Sequence, residues 1–362
     1  MTHRSISTSR RHFIAAAGMT ALAAKASPIY NRRVFEGSFA FAASSDKLTV
    51  YSTRETAWIP VQTVSSEAPV SLVADHSTDT LHVLHAVSEY QGLPCGYVES
   101  FHIDKYNGQL KPLSRQPLSL SGILPSSMVL SPDGKALAVA IRGGAAYNLL
   151  PILKDGRPGR PQAIRKESGL SSALPSRPSD IAFNRIGDRI FTLDQGTSTL
   201  SVFSTQFEVL SRFSLPEASR FALFATYEDA DMLFTIDAAT GSLLSIRHHP
   251  ADARLSGQPQ VIRGNFLGPL AINVASKTLF AIDSDGIHIF RIQDETGHLS
   301  PVQHFHDMPP LYKAQHLLCD PKRHILYLVA ENGIWSSGFD PDCGLLLAFV
   351  CAAPGARKIA LL

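Results

Sequence analysis

Residues 124–152 read LPSSMVLSPDGKALAVAIRGGAAYNLLPI. A proline-led apolar run, Pro125 to Leu130, is followed by the turn Ser131-Pro132-Asp133-Gly134. A second run, Ala136 to Ile141, then leads through Gly143-Gly144 into a third that ends near Ile152. Short β-prone runs bounded by turn residues predict hairpins, and three in succession predict most of one four-stranded antiparallel sheet. Weaker copies of this unit begin at Pro69, Pro178, Arg220, Pro269 and Gln315, and a last partial copy begins at Arg357. The period is about 48 residues, within the range of sheet-repeat proteins.

The two ends of this array decide its shape. Three strands, Ser38 to Ser44, Leu48 to Ser52 and Trp58 to Val64, precede the first full repeat, and a single strand follows the last. Three plus one completes a four-stranded sheet, and joining the ends removes the exposed edges of an open array. The expected fold is therefore all-β: a seven-bladed β-propeller closed by N- and C-terminal strands that share one blade. The first strand of each blade then lines the channel, and the loops after the second and fourth strands lie on one face. The longest irregular stretches, His85 to Tyr97, Ser168 to Arg177 and His306 to Ala314, all fall at those positions. That face is the expected binding face.

Before the first strand, Ser9-Arg10-Arg11-His12-Phe13-Ile14, an apolar stretch from Ala15 to Ala24 and Ala24-Lys25-Ala26 follow in the order of a twin-arginine export signal. Residues 1–26 are read as that signal and residues 27–362 as the propeller. Export to the periplasm or the outside is expected. The whole chain has 33 Lys+Arg against 31 Asp+Glu. Losing Arg4, Arg10, Arg11 and Lys25 takes 33 to 29, so the mature chain is near −2. No nucleic-acid partner is implied, and no apolar run of the mature chain is long enough to span a bilayer. Cys95, Cys319, Cys343 and Cys351 show no metal-ligand spacing; an exported protein could pair two of them, and the favoured reading is buried or loop thiols.

Several residues qualify for chemistry. Asp194, Asp237, Asp283 and Glu331 end the second strands of four successive blades. They form either an acidic ring at the channel mouth or a set of side-chain caps on hairpin turns. Arg177, Arg220 and Arg357 stand at the start of three channel strands, placed either to grip an anion or to pair with those carboxylates. His248-His249 and the pair His304 and His306 are read as exposed. A metal reading of either pair needs a third ligand that the sequence does not place, so neither a metal nor a cofactor is assigned. No GxSxG, HExxH or phosphate-loop motif occurs in its required context.

In register, the chain resembles the lactonase family of seven-bladed β-propellers, which includes bacterial 6-phosphogluconolactonases and a fungal muconate-lactonizing enzyme. The resemblance is carried by Leu130-Ser131-Pro132-Asp133-Gly134-Lys135, by Gly143-Gly144 with Leu150-Pro151-Ile152 and Asp155-Gly156, by Ile287 to Leu299, and by the terminal half-blade. It implies hydrolysis of a sugar-derived or small anionic lactone at the channel mouth. On this alignment Ser179 stands where the family has a histidine, and Phe221 follows the retained Arg220 in place of another. Asp237 stands at a glutamate position, and Thr199 and Ser284 stand at arginine positions. The resemblance thus implies Asp237 and Arg220 as the catalytic pair; Arg177, Asp194, Asp283, Glu331 and Arg357, by their strand positions, are expected to contact a small-molecule ligand, and a monomer is expected. The alternative is a non-catalytic propeller that binds a protein or glycan on its looped face. A quinone-dependent dehydrogenase is disfavoured because Trp58 and Trp335 are the only tryptophans.

Overall fold

The computed structural model describes residues 39–361 except 54–57, 168–174, 216–217, 226–230, 250, 294–295, 307–313, 321, 332, 341–349, 354–355 and 357. Seven four-stranded antiparallel sheets follow one another around a ring. Their strands, from the channel outward, are as follows. Blade 1 is Lys358–Leu361, Phe39–Ala43, Lys47–Ser52 and Ile59–Ser65, and blade 2 is Pro69–Asp75, Thr80–His85, Tyr97–Ile103 and Leu110–Pro117. Blade 3 is Pro125–Leu130, Ala136–Ile141, Ala146–Pro151 and Ala163–Lys166, and blade 4 is Pro178–Phe183, Arg189–Asp194, Thr199–Ser204 and Val209–Ser214. Blade 5 is Ala218–Ala225, Asp231–Asp237, Ser242–His249 and Arg254–Ile262. Blade 6 is Phe266–Asn273, Thr278–Asp283, Ile287–Ile292 and Leu299–Phe305, and blade 7 is His316–Asp320, Ile325–Ala330, Gly333–Gly338 and Val350–Ala353.

Blade 3 reproduces the hairpins read from residues 124–152. Blade 1 is the shared blade, with Ala40 paired to Leu361, Phe41 to Ala360, Ala42 to Ile359 and Ala43 to Lys358. The core is a ring of seven wedges, each packed between two neighbouring blades. The wedge between blades 7 and 1 contains Trp58, Tyr327, Val329, Ile334 and Ile359, so the ring is sealed by side chains as well as by backbone pairing. Second strands are sandwiched on both sides and read as apolar runs; Ala136–Ile141 and Thr278–Asp283 are buried almost throughout. Outermost strands such as Ile59–Ser65 show alternating exposure, as a rim facing water requires.

One irregularity recurs. Close to its looped-face end, the first strand slips register against the second in blades 2 to 6, between Pro69 and Ser71, Pro125 and Ser127, Pro178 and Asp180, Ala218 and Phe221, and Phe266 and Leu270. Proline is tolerated as the leading residue because the channel-side edge has no further strand to receive its missing N–H. Such bulges re-aim side chains. Among the described residues no helix is long and apolar enough to cross a membrane.

Candidate functional site on the looped face

The carboxylates that end the second strands cap their own turns. Asp194 is 5% exposed. Its Oδ1 accepts the N–H groups of Arg177 (2.8 Å), Gly196 (2.8 Å) and Thr197 (3.0 Å), and its Oδ2 accepts the Ser176 hydroxyl. Asp237 is 4% exposed; its Oδ1 accepts the Ala239 N–H at 3.0 Å and its Oδ2 the Thr240 hydroxyl at 2.7 Å. The opposite face uses the same device at the ends of first strands. There the caps are Asp75, Asn184, Asn273 and Asp320, each accepting backbone N–H groups of its turn. An amide serves as well as a carboxylate at that face, so geometry rather than charge selects the residue.

Asp283 departs from this pattern. Its Oδ1 takes the Asp285 and Gly286 N–H groups at 2.8 Å each, as a cap should. Its Oδ2, however, lies 2.5 Å from Nε2 of His288, where blades 4 and 5 place a hydroxyl. His304 sits directly across from His288 on the outermost strand, with ring centroids 3.8 Å apart and its Nε2 3.6 Å from Oδ1. Burial raises the Asp283 carboxyl, but the hydrogen bonds from His288 and the turn, with the charge of His288, outweigh it and hold the group below the usual carboxylate range. Among the described residues, Asp283, His288 and His304 are the trio of potential ligands whose donor atoms lie within 4.8 Å of one another. Asp194 and Asp237 do not join them. Of the two readings of these carboxylates, Asp194, Asp237 and Asp283 fit separate caps, one of which carries imidazoles.

Blade 2 carries a second buried cluster. His85, closing the second strand, points Nδ1 at the Glu67 carbonyl (2.5 Å) and Nε2 at Glu99 (3.3 Å), and it stacks on Tyr97. Arg115 holds the other oxygen of Glu99 at 2.8 Å. Burial raises the Glu99 carboxyl, and its bonds to His85 and Arg115 more than reverse this, so it is held below the ordinary range. His85 is wholly buried and can only position its neighbours.

The remaining expected residues divide as follows. Arg177 is exposed, and its backbone N–H is used by Asp194. Glu331 is exposed in the turn after the second strand of blade 7. The backbone of Arg220 lies within the register slip that faces the Asp237 end of blade 5, while its side chain and all of Arg357 lie outside the described residues. Ser179 occupies the matching slip of blade 4, its hydroxyl donating to the Leu193 carbonyl at 3.0 Å. His248 corrects an expectation: it is fully buried, edge-on to Phe191, because its strand is sandwiched between blades. Cys95 and Cys319 are free thiols, whereas Cys343 and the Cys351 side chain lie outside the described residues.

Comparison with known proteins agrees with this architecture. The family model described as Lactonase, 7-bladed beta-propeller matches residues 42–217, from blade 1 to the end of blade 4. No curated protein sequence matches the chain. Among solved structures, a Bacteroides fragilis protein assigned as a 6-phosphogluconolactonase superposes with a TM-score of 0.72 at 16% identity, covering 91% of this chain and 99% of that one. The periplasmic gluconolactonase of Pseudomonas aeruginosa gives 0.72 at 16% identity, over 90% and 98%. A hypothetical selenium-binding protein from Sulfolobus tokodaii gives 0.65 at 10% identity, over 90% and 93%. At such identities these structures show the shared fold alone. With seven blades closed by a shared one, the chain is a seven-bladed β-propeller, and over residues 42–217 it is similar to the lactonase family of that fold.

Proposed function

We propose that this protein is a lactonase-like hydrolase that opens a sugar-derived or small anionic lactone at the looped end of its channel. The observation that carries the reading is the family match over residues 42–217. The recurrent slips of the first strands support the location, because the two aligned family positions Ser179 and Arg220 both fall within them. In this reading Asp237 activates water and Arg220 stabilises the oxyanion that develops on the lactone carbonyl. Arg177, Arg357, Asp194, Asp283 and Glu331 border the ligand. A gluconolactonase and a 6-phosphogluconolactonase among the structural neighbours suggest aldonolactones as the first compounds to assay. The test is hydrolysis of a lactone panel by purified residues 27–362, with Asp237→Asn and Arg220→Ala compared with the parent. Turnover that falls at least tenfold in both variants supports the assignment. A parent no faster than buffer on every lactone overturns the enzyme reading, and a parent that neither change slows overturns the site.

A second reading has one specific observation in its favour. Asp237 directs both carboxylate oxygens at its own turn, and Asp194 divides its oxygens between its turn and the Ser176-Arg177 stretch ahead of the first strand, which suits a scaffold better than a base. Under it the looped face binds a protein or glycan without chemistry. In either case the protein is proposed to be a monomer exported by the twin-arginine route, with cleavage after Ala26.

A further inference from the structure

We propose that Asp283, His288 and His304 of blade 6 form a binding site for one divalent transition-metal ion of the zinc class. Two imidazoles and a carboxylate are the ligand types such ions select, whereas calcium and magnesium prefer oxygen-only sets. Three protein ligands with a solvent-facing fourth position is the arrangement of open zinc sites. His288 and His304 are each about a quarter exposed at the side chain, so the cluster lies close enough to the surface for a water to supply the fourth ligand.

The spacing fits. Donor atoms of a tetrahedral site with bonds of about 2.0–2.1 Å stand roughly 3.3 Å apart. Here Nε2 of His288 and Nε2 of His304 lie 2.5 Å and 3.6 Å from the two oxygens of Asp283, and all donors fall within 4.8 Å. A metal ion therefore asks for shifts of about an ångström rather than a new fold. On binding, the proton on Nε2 of His288 moves to Nδ1 of a neutral ring or leaves to solvent from a doubly protonated one, and the freed lone pair turns to the metal.

Three features beyond proximity point to a built site. Nε2 of His304 is shielded from solvent, yet it has no hydrogen-bond partner among the described residues. The carboxylate is anchored by two backbone N–H groups through Oδ1, the supporting contact that keeps a ligand oriented. At Gly286 a Cβ would meet the Phe305 carbonyl at 2.1 Å and lie 3.2 Å from Nε2 of His304, so the glycine makes room for that ring. Phe266 and Phe290 flank His288 and fix its orientation. His306, 3.8 Å from His304 between ring centroids, stands beside the site at the surface.

The inference is independent of the lactonase reading, since metal binding and lactone turnover are measured separately. Tag-free residues 27–362 are stripped with a chelator, and zinc is titrated calorimetrically, with bound metal counted after dialysis. One zinc per chain with micromolar or tighter affinity is expected, and no uptake of magnesium or calcium. His304→Ala, on the outermost strand where no cavity is left, should weaken zinc at least a hundredfold, and Asp283→Asn comparably. His298→Ala, an exposed histidine elsewhere on blade 6, should change nothing. Cobalt(II) substitution supplies a second readout: visible ligand-field bands that are lost in His288→Ala. Failure of the parent to retain zinc, or retention unchanged in His304→Ala and Asp283→Asn variants that melt like the parent, overturns the site.

Discussion

His82 sits in the second strand of blade 2 with no exposed surface, its Nδ1 2.8 Å from the Ser100 hydroxyl. Burial lowers its pKa to about 4, against the opposing charge of Asp75. In the unfolded chain an imidazole titrates near its ordinary value of about 6.5. The unfolded state therefore binds the extra proton first as pH falls. The stabilisation from neutral His82 is complete above about pH 6.5 and is lost progressively toward pH 4, by roughly 3 kcal/mol in all. Asp75 and Glu99 are held below the usual carboxylate range and act in the same direction only at lower pH. Denaturant titrations at pH 7.5 and pH 5 should show the parent weaker at pH 5, and His82→Gln should flatten much of that difference. Equal parental stability at the two values would mean that water reaches the imidazole. The same scale explains why the site was only partly legible in sequence. Asp194, Asp237 and Asp283 look alike as aspartates that end second strands just ahead of a turn. What distinguishes Asp283 is the partner of its second oxygen, and that partner is set by the pairing of His288 with His304. That register passes through an irregularity between Ile289 and Phe290, which no spacing rule on the sequence anticipates.

Among strands, Lys358–Leu361 is the short one on which the ring depends. It pairs with Phe39–Ala43 at four positions and puts Ile359 and Ala360 into the wedges on its two sides. Burying a side chain of the size of Ile359 is worth about 1.5–3 kcal/mol, and an unpaired inner edge adds an open template for association. Deleting residues 357–362 should lower the melting temperature by many degrees and produce soluble aggregates on size-exclusion chromatography. A truncated protein that melts with the parent would refute closure by this strand. Trp58 gives a local readout, since it packs between Tyr51 and Tyr327 at the seam of blades 1 and 7 and should become more exposed on truncation. The strand pattern was legible because each blade repeats the same alternation of apolar run and turn. Starts drifted most in the two blades whose slips span the most residues. Blade 5 begins at Ala218 rather than Arg220 and blade 6 at Phe266 rather than Pro269, because the extra residues of a bulge extend the strand beyond the apolar run that marks it.

For the whole molecule, the expected route out of the cytoplasm and the closed ring make joint demands. A twin-arginine substrate is carried folded, so Arg10→Lys with Arg11→Lys should leave full-length precursor inside the cell, as fractionation would show. Undiminished export of that variant would point to another route. The ring also constrains the timing of folding. Phe39–Ala43 and its two outward neighbours are among the earliest described strands to leave the ribosome, yet their inner partner is the last of the described strands. Contacts between such distant parts of a chain are slow to form because loop-closure entropy must be met first. The nascent protein therefore has six blades available before its first sheet can be finished. Synthesis must run through Leu361 before that sheet can close, so a chain released early carries an open seam that chaperones and proteases can recognise.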